Sequence, residues 1–125
     1  MTTGEQIVRH YLWKLAKHDL AGCLDHFTDD SVLEVRAGIE RGREAIERWH
    51  KERFQANLEI LSLDLVKENG DQTTAEFTMT SDRLAGRRME HLPVRLSVTI
   101  DSGKIVAAQL KLRLGAGLKS LIGLK

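Results

Sequence analysis

The sequence has little of what would crosslink a chain, carry it across a bilayer or attract a polyanion. It contains one cysteine, Cys23, so it can form neither an internal disulfide nor a thiolate metal site, and we expect a reducing, cytoplasmic location. Nineteen basic and 18 acidic residues leave a net charge of +1, which argues against nucleic acids and acidic membranes as partners. No apolar run approaches the roughly 20 residues that span a bilayer, and the N-terminus lacks a signal-peptide core.

Motifs of several catalytic classes are missing as well. The sequence has no His-x-x-x-His, Cys-x-x-Cys or paired-carboxylate pattern, and His10, His18 and His26 have no ligand-like spacing. It also has no glycine-rich nucleotide loop and no nucleophile elbow. We therefore expect no metal and no cofactor.

The residues that are present predict one globular domain with helices first. Apolar residues make up 42% and charged residues 30%, as in soluble domains of this length. A capping box at Thr3 and Gln6 opens a predicted amphipathic helix over residues 3–18. Asp19 then caps a short second helix, and a third is predicted over residues 43–55. Between them, residues 28–31 have turn chemistry and residues 31–36 read as a strand.

After residue 57 the apolar period changes from 3.6 to 2, which predicts antiparallel strands. The predicted strands cover residues 58–65, 73–84, 87–100 and 104–114, with turns at Asn69-Gly70, Ala85-Gly86 and Ser102-Gly103. Pro93 lies inside the third of them, which argues for an edge strand or a bulge there. Helices followed by hairpins predict an α+β fold with a curved antiparallel sheet.

Residues 114–125 form a separate amphipathic tail after the domain of residues 1–113. Apolar residues recur in the tail at helical spacing, but each of its three glycines costs about 1 kcal/mol in a helix. We expect this tail to act as a lid over a pocket, to dock on a partner subunit or to contact a membrane surface, in that order.

Four segments carry a resemblance to a known family: Tyr11-Leu12 with Asp19-Leu20, residues 27–34, residues 41–46 and residues 102–106. In this order the chain, over about residues 5–113, resembles the nuclear-transport-factor-2-like superfamily, which includes ketosteroid isomerase and the SnoaL-like polyketide cyclases. The resemblance implies a cone-shaped, cystatin-like α+β domain whose curved sheet wraps around three helices and leaves an apolar pocket. It also implies a homodimer formed through the outer face of the sheet.

The resemblance assigns two catalytic candidates. Tyr11 resembles the oxyanion-binding tyrosine of ketosteroid isomerase and would donate to a carbonyl oxygen, whereas His50 would accept or relay a proton. Each has a structural alternative, since Tyr11 could be an amphipathic core residue and His50 a buried histidine satisfied by Tyr11 or by the backbone. Val35 matches the position of the isomerase's general base, and a valine cannot move a proton, so the isomerase reaction is disfavoured.

The remaining candidates would contact a ligand. The predicted apolar wall comprises Leu33, Val35, Trp49, Phe77, Met79, Ala108 and Leu110. Arg95 aligns with the second oxyanion-hole acid of the isomerase and is therefore a candidate ligand contact. The alternation of its strand places it on the outer face instead, which the cost of burying an unpaired guanidinium favours.

Two classes of function remain open on the sequence. The first is a SnoaL-like small-molecule pocket protein, with isomerase, hydrolase or cyclase chemistry on an apolar substrate that carries a carbonyl. The alternative is a non-catalytic ligand-binding or dimerisation domain. The missing carboxylate at Val35 favours binding slightly over catalysis. The expected partners are a small apolar molecule and a second copy of the chain.

Overall fold

The structure, a computed structural model, describes the backbone of residues 3–36, 38–83 and 87–113 and the side chains of residues 3–36, 38–82 and 92–113. The elements in chain order are α1 (Gly4–Ala16), α2 (Leu20–Leu24), β1 (Phe27–Val35), β2 (Gly38–Arg41), α3 (Arg43–Gln55), β3 (Glu59–Asn69), β4 (Gln72–Arg83), β5 (Arg87–Asp101) and β6 (Lys104–Leu112). The predictions for the tail of residues 114–125 and for the turn at Ala85-Gly86 concern residues outside this description.

The helices begin where the sequence predicted. The Thr3 hydroxyl accepts from the Gln6 N–H, and the Gln6 side chain accepts from the Thr3 N–H, which completes the capping box of α1. The Asp19 carboxylate accepts from the Gly22 N–H and caps α2. α1 ends two residues earlier than predicted, because His18 takes a positive φ of 58°. Within the described residues, each helix is too short or too polar to span a bilayer.

The described strands form one six-stranded curved sheet in the order β2-β1-β6-β5-β4-β3. This arrangement confirms the predicted α+β fold class. One pair, β1 with β6, is parallel, and the other neighbours are antiparallel. The sequence analysis predicted neither the parallel pair nor β2, whose four residues are too few for a periodic signal.

The prediction of a turn at residues 28–31 was wrong, because β1 already starts at Phe27. The polar residues there shift the register of β1 against β6 between Phe27 and Val32. The Thr28 N–H donates to the Ser31 hydroxyl over 2.8 Å, and this hydroxyl donates to the Ile105 carbonyl oxygen over 2.7 Å. The same local chemistry that makes turns therefore forms an irregularity inside a strand here.

Pro93 does not lie on an edge strand, since β5 is placed between β4 and β6. The Pro93 carbonyl oxygen accepts from the Arg113 N–H, which directly follows β6. The nitrogen and the oxygen of a strand residue point the same way, so the missing N–H of Pro93 faces the end of β6 and costs little there. A register shift between β4 and β5 follows close by, where Met79 and Ser81 pair with Leu92 and Met89.

The core lies between the helices and the inner face of the sheet. On β4, Ala75, Phe77 and Met79 are buried, as the alternation predicted, and Glu76 points to the outer face. The buried stripes of the helices cover this inner face. The inner face is therefore where an interior site can be built.

Candidate functional site

Tyr11 of α1 and His50 of α3 meet inside the domain. The Tyr11 hydroxyl oxygen lies 2.8 Å from His50 Nε2. Both side chains are buried, with 3% of Tyr11 and none of His50 exposed. Each belongs to the apolar stripe of its helix, and for this reason the helices carry these two polar groups into the core.

The second ring nitrogen of His50 decides which group donates. His50 Nδ1 lies 2.7 Å from the carbonyl oxygen of Ile46, one helical turn earlier. A carbonyl oxygen can only accept, so Nδ1 carries a proton and donates it. In the neutral ring Nε2 then holds a lone pair, which accepts the hydroxyl proton of Tyr11.

Burial keeps both groups uncharged near neutral pH. Desolvation lowers the pKa of His50 to about 4, and the hydrogen bond to Ile46 opposes this shift only in part. Desolvation also raises the pKa of Tyr11 well above its ordinary value, and charge repulsion between a Tyr11 phenolate and a Cys23 thiolate adds to this effect. At pH 7 the pair is a phenol donating to a neutral imidazole, and neither member is a strong acid or base.

Aromatic rings hold the pair from several sides. The Phe27 ring meets the Tyr11 ring edge-on at a centroid distance of 5.5 Å. The Trp49 ring meets the His50 ring edge-on at 5.0 Å. Edge-to-face contacts of this kind are favourable and restrict ring rotation. The hydroxyl of Tyr11 is therefore positioned by packing as well as by its hydrogen bond.

A small interior cavity borders Tyr11. Its free volume is about 10 Å³, which is room for about one water molecule. The residues around it are, apart from Tyr11, apolar or aromatic: Leu15, Leu33, Trp49, Leu58, Phe77, Met79, Leu96 and Leu110. None of them is a carboxylate, so the cavity lacks the base that ketosteroid isomerase would need.

The structure brings most of the predicted site residues together at this cavity. Six of the ten candidates line it: Tyr11, Leu33, Trp49, Phe77, Met79 and Leu110. His50 is hydrogen-bonded to Tyr11 without lining the cavity, Ala108 belongs to the surrounding core, and the partly buried Val35 packs against that core. Leu15, Leu58 and Leu96 also line the cavity, although no sequence pattern had marked them as site residues.

Arg95 does not reach the cavity. Its side chain lies on the outer face of the sheet, where Nη2 is 2.8 Å from the Glu76 carboxylate. Arg113 joins the same group through Glu76 at 3.6 Å and Asp64 at 2.9 Å. The proposed ligand contact at Arg95 is thus corrected: the alternation of β5 decides its side, and the outer face supplies the partners that a guanidinium needs.

Two of the histidines outside the pair, His10 and His26, contact each other, which their spacing in the sequence did not predict. His10 Nδ1 lies 2.8 Å from His26 Nε2, across α1 and the start of β1. Burial lowers the pKa of His26, and the neighbouring His10 lowers it further. Among the residues whose side chains are described, no three His, Cys, Asp or Glu groups gather as metal ligands would.

The helices and the curved sheet, with a polar pair in an apolar interior, define a cone-shaped α+β domain of the nuclear-transport-factor-2-like superfamily. The family model of the SnoaL-like domain matches residues 8–108. The chain therefore belongs to the SnoaL-like family. No curated protein matches it in sequence.

Solved structures share the fold at low sequence identity. A proposed polyketide cyclase from Pseudomonas putida is 19% identical with a TM-score of 0.81, over 95% of this chain and 98% of that one. An NTF2-like protein of unknown function from Burkholderia pseudomallei is 18% identical with a TM-score of 0.79, over 98% of both chains. A hypothetical protein with a ketosteroid-isomerase-like fold from Catenulispora acidiphila, in complex with trimethylamine, is 18% identical with a TM-score of 0.76, over 99% of this chain and 96% of that one. These likenesses establish the fold alone.

Proposed function

We propose that this SnoaL-like domain binds a small, mostly apolar molecule in its interior, next to Tyr11. The observation that carries the proposal is the buried hydrogen bond between Tyr11 and His50 beside an apolar cavity. A polar pair in a core costs desolvation free energy that apolar residues at both positions would avoid. Small-molecule sites are also usually apolar enclosures that contain a small number of polar groups directed at the ligand.

Binding requires the interior to open. The cavity of about 10 Å³ has room for only about one water molecule, whereas ligand sites commonly measure about 300–1,000 Å³. Met79 and Leu110 are the more exposed lining residues, and the unbranched Met79 side chain changes rotamer readily. We propose that a ligand enters by displacing these two side chains towards solvent, while Tyr11 and His50 keep their places.

Catalysis on a carbonyl substrate has less support than binding. Tyr11 would have to donate to the carbonyl, and His50 would have to take up a proton. The lowered pKa of His50, about 4, makes it a weak base at neutral pH. The likeness to a proposed polyketide cyclase keeps cyclase chemistry among the reactions to assay.

A dimerisation domain without a ligand is the second candidate function. The nearly filled interior favours it, since the ligand-free chain leaves so little space. The outer sheet face also has a depression of about 310 Å³ bordered by Arg95, Ser97, Gln109, Lys111 and Leu112. Its polar residues would form a wet interface with a second copy. In this case the Tyr11–His50 pair is only a structural contact.

A ligand screen separates the two functions. Melting temperatures would be measured with steroids, phenols and epoxides for the parent, for Tyr11→Phe and His50→Ala, and for the control Lys51→Ala. Lys51 follows His50 in sequence but is exposed and pairs with Glu47 on its own helix. The proposal predicts ligand shifts in the parent and the control that shrink in both site variants.

Two other outcomes of this screen would contradict the proposal. If no compound raises the melting temperature of the parent, and sedimentation shows a dimer, the dimerisation function replaces the pocket. If compounds raise it equally in all four proteins, the ligand binds elsewhere and Tyr11 is not part of its site.

A further inference from the structure

The Tyr11 hydroxyl has one proton, and the surroundings of His50 fix where it goes. His50 Nδ1–H donates to the Ile46 carbonyl oxygen, which leaves Nε2 as the acceptor of the Tyr11 proton. Among the described residues, no other hydrogen bond of the Tyr11 hydroxyl is formed. The Tyr11 hydroxyl therefore has a lone pair to offer and no free proton, and its side chain is one of those that line the cavity.

This arrangement treats two kinds of ligand differently. A carbonyl ligand would need the Tyr11 proton, so one hydrogen bond would be gained and the bond to His50 lost, with Nε2 left buried and unpaired. A hydroxyl ligand would donate to the Tyr11 oxygen and leave the bond to His50 in place. The donors would then all point the same way, from ligand to Tyr11, to His50 and to the Ile46 carbonyl, and such chains strengthen each bond.

We propose that the interior site selects ligands bearing a neutral hydrogen-bond donor, a hydroxyl or an N–H group, with the Tyr11 oxygen as its acceptor. The inference rests on the proposed function, since it concerns the same site. It reverses the role that the resemblance to ketosteroid isomerase implied for Tyr11, which was to donate to a carbonyl oxygen. The reversal follows from the Ile46 carbonyl, which fixes the tautomer of His50.

The test compares ligands of equal shape. The probes are 1-naphthol against 1-methoxynaphthalene and 1-naphthaldehyde, and cyclohexanol against cyclohexanone, with dissociation constants measured by calorimetry or by NMR titration at pH 7. One additional hydrogen bond should make the two alcohols bind about fivefold to tenfold more tightly than their partners. Lys51→Ala, the exposed neighbour of His50, should keep this preference.

A second variant reverses the expected order. In His50→Leu the acceptor of the Tyr11 proton is gone, so Tyr11 can donate to a ligand carbonyl. The preference should then move towards cyclohexanone and 1-naphthaldehyde. Nitrogen-15 NMR of the parent tests the same point without any variant, because His50 should show a protonated Nδ1 and an unprotonated Nε2 at pH 7.

The outcomes distinguish this inference from the proposed function. If the ketone and the aldehyde bind the parent as tightly as the alcohols, or if Nε2 carries the proton, the inference is overturned while the pocket stands. If none of the five probes binds the parent at millimolar concentration, the pocket itself is refuted, and the inference falls with it.

Discussion

The two faces of β4 carry opposite chemistry one residue apart. Phe77 points inward and is 1% exposed, whereas Glu76 points outward and pairs with Arg95 and Arg113. The inner face is almost closed to water, and α1 and α3 bring the hydrogen-bonded Tyr11–His50 pair against it. The outer face keeps its charges near solvent in a connected group. Position on the sheet, more than residue type, therefore decides what a polar side chain contributes here.

The largest effect is expected where the inner face loses volume. Phe77→Ala should reduce the free energy of unfolding by about 3–5 kcal/mol, because it removes a buried ring and leaves a cavity. Urea denaturation followed by circular dichroism measures this change. The matched control is Glu76→Ala on the outer face. A cost for Phe77→Ala no greater than that of the control would mean that the two faces do not differ as described.

Lowering the pH should reduce the free energy of unfolding, because the buried His50 of the inner polar pair resists protonation. Folding lowers the pKa of His50 from 6.5 to about 4, so the unfolded chain binds the proton more readily between these values. The contribution of neutral His50 to the free energy of unfolding is fully present above about pH 6.5. It decreases as the pH is lowered and reaches its minimum below about pH 4. The difference corresponds to roughly 3 kcal/mol.

Urea denaturation at pH 7 and pH 4.5 measures this loss. His50→Leu should flatten the dependence, while His26→Gln should retain most of it. Burial also lowers the pKa of His26, so this second variant separates the two histidines. A pH dependence that survives unchanged in His50→Leu would contradict the assignment.

Removing one hydroxyl should have an intermediate effect. Tyr11→Phe keeps the ring but leaves Nε2 of His50 buried without a donor, which costs about 1–3 kcal/mol. The loss of free energy should be smaller in the double variant Tyr11→Phe with His50→Leu than the sum of the two single losses, since the two groups contact each other. Additive losses would show that the 2.8 Å contact contributes nothing to stability.

The smallest effect is expected on the outer face. Arg95→Ala should change the free energy of unfolding by no more than about 0.5 kcal/mol, because half of the Arg95 side chain is exposed to water and salt. Glu76 keeps Arg113 as a second partner in this variant. A loss above 2 kcal/mol in the monomer would show that the outer group stabilises the fold as strongly as a core contact.

Features that depend on neighbouring residues in the sequence could be predicted, whereas features that depend on contacts between distant residues could not. The capping box at Thr3, the α1 stripe and the alternation around Phe77 depend on neighbours in the chain, and the structure confirms them. The neutral state of His50 depends on Ile46, which is local, and on burial, which is not. The size of the cavity depends on how side chains from six helices and strands pack together, and no sequence periodicity predicts that.

Arg95 shows how two sources of prediction can conflict. Its alignment with an oxyanion-hole residue suggested an inward position, and the two-residue period of its own strand suggested an outward one. The strand period was right, because moving one side chain to the other face would move every neighbour in β5 with it. At Arg95 the two-residue period of the strand was therefore a safer guide than the alignment.

The parallel pairing of β1 with β6 has a consequence for how the chain acquires its structure. Val32 lies beside Ala107, and the Ser31 hydroxyl is bonded to the Ile105 carbonyl oxygen, so partners about 75 residues apart must find each other. Closing so long a loop costs entropy before any contact repays it, and folds rich in distant contacts form slowly. During synthesis, β1 therefore keeps one edge unpaired until its partner β6, the last described strand, has left the ribosome.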